Sequence, residues 1–170
     1  MIYPIVKFGD PVLEKLAAPI TKFDAELRQL ADDMFESMYA AHGVGLAATQ
    51  IGISKRIAVI DVTFKEDPEA KIVLVNPEII HVEGRITSNE GCLSLPEFRE
   101  KVTRARKVTA RAQNLKGDTF EVTGEDLLAR ALLHETDHLN GTLYINHISP
   151  LKRDLIRRKI RKLQKLGEWD

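Results

Sequence analysis

The sequence predicts an α+β fold, with mixed or antiparallel strands packed around one central helix, a second helix near the N-terminus and a basic amphipathic helix near the C-terminus. Three observations lead there. Strand-like runs crowd into residues 56–122 without a regular strand–helix alternation, which argues against a parallel βαβ sheet. Downstream, Leu127, Ala131, His134 and His138 form one stripe at helical spacing, flanked by Leu128, Leu132 and Leu139, so this helix reads as central and buried. Finally, 170 residues that are 44% hydrophobic and 29% charged suit a single globular domain with a sizeable core.

The elements follow in order. Residues 1–20 read as irregular, punctuated by Pro4, Pro11 and Pro19. A first helix is expected over 24–42, with Asp24 as N-cap, a stripe of Leu27, Leu30, Met34, Met38 and Ala41, and Gly43 as its stop. The run Gly43-Val44-Gly45-Leu46-Ala47-Ala48-Thr49-Gln50 is too rich in glycine and alanine for a regular strand. It reads either as a tight turn with close packing or as a loop that lets backbone approach a ligand. Strands are expected at 56–62, 72–76 and 79–86, the last two separated by Asn76-Pro77. A further strand at 106–114 places Val108, Ala110 and Ala112 on one face, and 115–118 turns into a strand at 119–122. Thr123 with Asp126 resembles a capping box opening the central helix, and Gly141 sits where a left-handed residue would close it. The last helix opens at Ser149-Pro150, carries Leu151, Leu155, Ile160, Leu163 and Leu166 as its apolar stripe, and stops at Gly167. No repeat, low-complexity segment or linker divides residues 1–170.

Charge and cysteine content narrow the function classes. The chain is neutral overall, yet residues 151–166 hold eight Lys/Arg against one Asp, a charge of +7 that leaves −7 on the rest. A basic arm on an acidic body points to a polyanionic partner, or to a solvated face of a packed helix. No apolar run is long enough to span a bilayer, and residues 1–10 lack a signal-peptide layout. One cysteine, Cys92, rules out an internal disulfide and fits a reducing compartment, the cytoplasm or an organelle matrix.

The chemistry concentrates in His134-Glu135-Thr136-Asp137-His138. Histidines four apart on a helix share a face, so both imidazoles can reach one metal ion, and the Glu between them can touch a water beside it. By itself the motif reads equally well as two satisfied core histidines beside a surface Glu. A hydrolytic site needs a third protein ligand. Downstream only His147 and Glu168 offer one; upstream, Glu90-Gly91-Cys92-Leu93-Ser94 offers a thiol suited to zinc or ferrous iron, though a lone cysteine is more often an inert buried side chain.

Together, the Gly43-to-Gln50 run, the Glu90-to-Ser94 pentad and the His134-to-His138 motif, in this order and at these separations, resemble peptide deformylase. Pro11-Val12-Leu13, Asn76-Pro77 and Ser149-Pro150-Leu151 are also similar to bacterial members, so the resemblance covers residues 5–166. It implies that Cys92, His134 and His138 bind one divalent metal, Fe(2+) first, with Zn(2+), Ni(2+) or Co(2+) able to take the site. It implies water at the metal as nucleophile, Glu135 as general acid and base, and the Gln50 side-chain amide and the Leu93 N–H as oxyanion donors. The substrates implied are N-formyl-methionyl ends of newly synthesised polypeptides, cleaved to formate and a free amino terminus. Gly43, Val44, Gly45, Leu46, Leu128, Ala131 and Arg99 are placed at the substrate, with Arg130 either on the rim or in solvent. Asp137 is expected to pair with an arginine such as Arg104, and Glu90 to have a similar supporting role. The resemblance also implies that the basic C-terminal helix docks on the ribosome, with neither DNA nor a membrane as partner. Two rivals stand: an H-E-x-x-H metallopeptidase, opposed by the upstream cysteine, and a non-enzymatic ribosome- or RNA-binding module, which leaves the motif residues unexplained.

Overall fold

The computed structural model describes residues 1–169. α1 spans Ala25–Ala40, and Asp24 caps it as expected, its carboxylate accepting from the Leu27 N–H. The left-handed residue that ends it is His42, φ +58, rather than Gly43. The glycine–alanine run does contain a strand, contrary to expectation: β1, Gly45–Ala47, pairs antiparallel with β2, Ile57–Ile60. Small side chains are no obstacle here, because β1 is only three residues long and buried by the layers around it.

β3 runs unbroken over Ile72–Glu83, where two strands were expected. The Asn76-Pro77 step is a bulge, marked by a register shift and by Asn76 at φ +50. Asn76 is held there because its amide exchanges hydrogen bonds with both backbone groups of Ile20 and donates to Gln113. β4, Ile86–Cys92, and β5, Leu95–Arg104, form a separate hairpin that the strand pattern did not reveal. Their faces are mostly polar, with only Leu95 and Val102 as fully buried apolar anchors. β6, Lys107–Gln113, and β7, Thr119–Glu125, follow as a hairpin. Because β7 continues to Glu125, the Thr123–Asp126 capping box does not form: Thr123 shares a hydroxyl contact with Thr109 across the strands, and Asp126 makes no side-chain cap.

The main sheet has the order β1-β2-β3-β6-β7, all pairs antiparallel. Alternation along β2 explains the layering. Ile57 and Val59 pack with α1 residues Leu27, Met34 and Met38, whereas Ile60 packs with Ala129, Ala131 and Leu132 of α2, Leu127–Leu139. Val108, Ala110 and Ala112 of β6 join that second face, as their spacing predicts. The sheet is therefore covered by α1 on one side and by α2 on the other. Gly141 closes α2 at φ +79, where a Cβ would strike the backbone of Glu14. Arg56 donates to the Leu139 carbonyl at 2.8 Å, tying the end of α2 to β2.

α3, Pro150–Lys165, begins at Ser149 as expected. Its buried face differs from the expected stripe. Ile156 and Ile160 are buried and Leu163 half-buried, while Leu151, Leu155 and Leu166 stand 71%, 48% and 60% exposed. This third core unites α3 with Leu95 and Val102 of the hairpin, Tyr144 and Trp169.

Candidate metal centre and cleft

α2 carries His134, Glu135 and His138 on its inner face, and the end of β4 brings Cys92 over them. The thiol and one nitrogen of each histidine lie within 4.8 Å of one another. Cys92 Sγ is 3.3 Å from His138 Nε2, which is 3.1 Å from His134 Nε2. His134 Nδ1 donates to Glu90 Oε2 at 2.6 Å, since a carboxylate only accepts, and this leaves Nε2 to present its lone pair. Two imidazole nitrogens and a thiol sulfur converging this closely fit one borderline-soft divalent cation. His147 and Glu168, the downstream candidates, are not part of this cluster; His147 Nε2 instead meets Asp137 at 2.9 Å.

Glu90 is buried and saturated with donors. Arg104 gives it two hydrogen bonds, 3.1 and 2.7 Å, and Arg130 a third at 2.5 Å. Burial pushes its carboxyl up, but the hydrogen bonds from His134 and Arg104 outweigh that and hold it well below the usual carboxylate range. Arg104 also reaches Asp137 at 2.7 Å, as anticipated. Of the two places expected for Arg130, solvent is excluded: it is 7% exposed, lines the cleft and donates as well to the carbonyls of Ile86 and Val102. Its spacing, four residues before His134 on the same helix face, was the available signal.

Glu135 lies deep in the cluster, with Oε1 lacking a hydrogen-bond partner among the described residues. Burial pushes its carboxyl up to about 7, partly opposed by His134. A Cβ on Gly45 would overlap this carboxylate, so β1 passes directly over it. Gln50 is oriented by its own loop: Oε1 accepts from the Ala47 N–H at 3.0 Å, which aims Nε2 at Cys92 Sγ and Ser94 Oγ, 3.4 and 3.3 Å away. Ser94 had not been singled out from the sequence.

These groups floor a cleft of about 450 Å³ walled by Gly43, Val44, Gly45, Leu93, Arg99 and Ala131. Leu128, expected as a pocket wall, is elsewhere, and Leu46, expected only against the peptide backbone, keeps its side chain out of the cleft. Leu46 is wholly buried in the α1 core, and Leu128 packs onto Gly124 of β7. Leu127 lines the cleft in its place, on the same helical stripe as Ala131 and His134, whereas Leu128 flanks that stripe.

A family model described as polypeptide deformylase matches residues 2–154. A peptide deformylase of Acidobacterium capsulatum is 66% identical over 169 residues, 99% of either chain. The chain belongs to the peptide deformylase family. A peptide deformylase of Hamiltonella defensa is 46% identical, over 98% of this chain and 96% of its own. Among solved structures, a peptide deformylase from Legionella pneumophila superposes with a TM-score of 0.90 at 46% identity, covering 100% of this chain and 99% of the other. One from Thermotoga maritima gives 0.82 at 43%, covering 88% and 99%. The protein is thus a deformylase-type enzyme, a metal-dependent hydrolase of N-terminal formyl groups. No helix among the described residues is long and apolar enough to cross a membrane.

Proposed function

We propose that the enzyme removes the formyl group from N-formyl-methionyl ends of newly synthesised polypeptides, with Cys92, His134 and His138 holding one divalent ion, Fe(2+) in preference to Zn(2+), Ni(2+) or Co(2+). The observation that carries this reading is the convergence of those three donors beside the buried Glu135. The ion would supply Lewis acidity, lowering the pKa of water from 15.7 towards about 7. Glu135 takes the proton of the attacking water and returns it to the methionine nitrogen as the C–N bond breaks, leaving formate and a free amine. Its raised affinity for protons suits both halves of that transfer. Gln50 Nε2 and the Leu93 N–H stabilise the oxyanion, and the fixed amide orientation of Gln50 spares reorganisation during the reaction. Val44, Leu127 and Ala131 line the space for the methionine side chain, with Gly43 and Gly45 admitting the peptide backbone and Arg99 meeting later residues.

Residues 1–170 act as one catalytic domain with α3 as a basic arm, working in the cytoplasm or an organelle matrix. The exposed Leu151, Leu155 and Leu166 among Lys and Arg give α3 an outward face suited to the ribosome, where affinity would fall steeply with salt. Removing α3 would strip Ile156 and Ile160 from the core, so charge reversal at Arg158, Lys159 and Lys162 is the cleaner test; undiminished ribosome co-sedimentation would exclude docking. The deciding assay for the reaction is anaerobic formate release from formyl-Met-Ala-Ser by iron- or nickel-loaded enzyme, beside Glu135→Gln. Rapid release by the parent and a metal-bound but nearly inactive variant are expected; no release by the folded, loaded parent would overturn the reading.

A further inference from the structure

One rim of the cleft carries a histidine, backed by an exposed phenylalanine, that the reaction itself does not use. His42 stands at the lead-in to β1 and lines the cleft. Phe64, in the turn after β2 and 40% exposed, stacks against it with ring centres 6.1 Å apart and planes at 23°. Phe64 also meets Tyr39 edge-on at 5.5 Å. Both members of the pair sit on left-handed backbone, φ +58 and +49, and Lys65 follows at +75, conformations that bulky residues rarely adopt.

A buried carboxylate holds them there. Asp61 accepts from the Thr63 N–H and hydroxyl at 2.9 and 2.7 Å, from the Lys65 N–H at 3.0 Å and from the Tyr39 hydroxyl at 2.5 Å. Its own N–H donates to the carbonyl of cleft-lining Val44 at 2.8 Å. The turn is pinned to α1 on one side and to the cleft on the other, so the pair is presented rigidly to solvent.

Resting on the deformylase reading, we infer that His42 and Phe64 form a subsite for the third residue of the peptide, selecting an aromatic or large apolar side chain. β1 is the edge strand of its sheet, and Gly45 lies over Glu135, where the formyl group must react. An extended peptide advances about 3.3 Å per residue, so one reacting beside Gly45 carries its third residue about 10 Å along the edge of β1, beyond the strand's start and towards the rim where His42 stands. The Lys65 ammonium, 4.7 Å over the Tyr39 ring, puts positive charge behind the pair and disfavours Lys or Arg at that position.

The test is the ratio of kcat/KM for formyl-Met-Ala-Phe to that for formyl-Met-Ala-Gly, taken within each protein so that any general loss of fold cancels. The parent should favour the Phe peptide by about 2- to 12-fold, through KM. Phe64→Ala should bring the ratio close to one, and Phe64→Trp should keep it. A parent ratio near one, or an undiminished ratio in Phe64→Ala, would overturn the subsite. Absence of formate from both peptides with the loaded parent would instead overturn the reaction on which the subsite rests.

Discussion

Replacing Glu90 by Gln removes one charge from a buried ion network and converts one acceptor oxygen into a donor. In the parent each oxygen faces two donors: Oε1 meets Arg104 Nε and Arg130 Nη1, and Oε2 meets Arg104 Nη2 and His134 Nδ1. Whichever way the new amide turns, its NH₂ points at two N–H groups, and two nearly buried guanidinium ions keep only Asp137 as a charged partner. Breaking a buried pair by removing one partner costs about 3–5 kcal/mol. For a chain of this size that corresponds to a fall in Tm of about 6–20 °C. The same change frees the His134 ring, which should weaken metal affinity by about 10- to 100-fold. Circular dichroism melts of the loaded and the chelator-stripped protein separate the two effects, because the arginine penalty persists without metal. A Tm within about 2 °C of the parent in the stripped state would refute the network argument, since a 3 kcal/mol loss cannot hide there. Unchanged competition against a metal-binding dye would refute the coupling to His134.

Further expectations follow from individual contacts. Gly45→Ala drives a methyl group into the Glu135 carboxylate; formate release should fall by about 100-fold while the far-UV spectrum stays native, and normal turnover would mean that Glu135 is not held against β1. Burial raises the Asp61 carboxyl, but bonds from Tyr39 and Thr63 outweigh it and bring it from 3.8 down to about 2. Since the folded value is the lower one, its contribution, at most about 2 kcal/mol, is present above about pH 4 and lost as pH falls towards 2. Asp61→Asn should flatten urea-measured stability across that window, and an unchanged acid slope would contradict this. Trp169 packs on Phe98 and donates to the Phe8 carbonyl at 2.7 Å; Trp169→Ala should lose about 3–5 kcal/mol in denaturant titration, far more than a surface substitution. If iron is the ion, activity should decay in air and persist under argon with catalase, and equal half-lives would exclude ferrous iron.

Much of this protein is local in origin and therefore legible in its sequence. Asp24 and Ser149 cap helices because their side chains reach N–H groups three residues away, and His134, Glu135 and His138 share a helix face because the turn is 3.6 residues. The alternation of Val108, Ala110 and Ala112 fixes which side of β6 meets α2 for the same reason. What only the tertiary structure decided depends on partners distant along the chain. The β4–β5 hairpin has little apolar periodicity, and becomes a strand pair because Leu95 and Val102 find the α3 core. Asn76-Pro77 looks like a strand break until Ile20, 56 residues away, saturates the Asn76 amide and turns the break into a bulge. Leu155 and Ile156 are equally apolar neighbours, and only the position of the body beneath α3 buries one and exposes the other. Arg130, likewise, is a surface residue by type and a buried one in fact, because Glu90, forty residues upstream, compensates its charge.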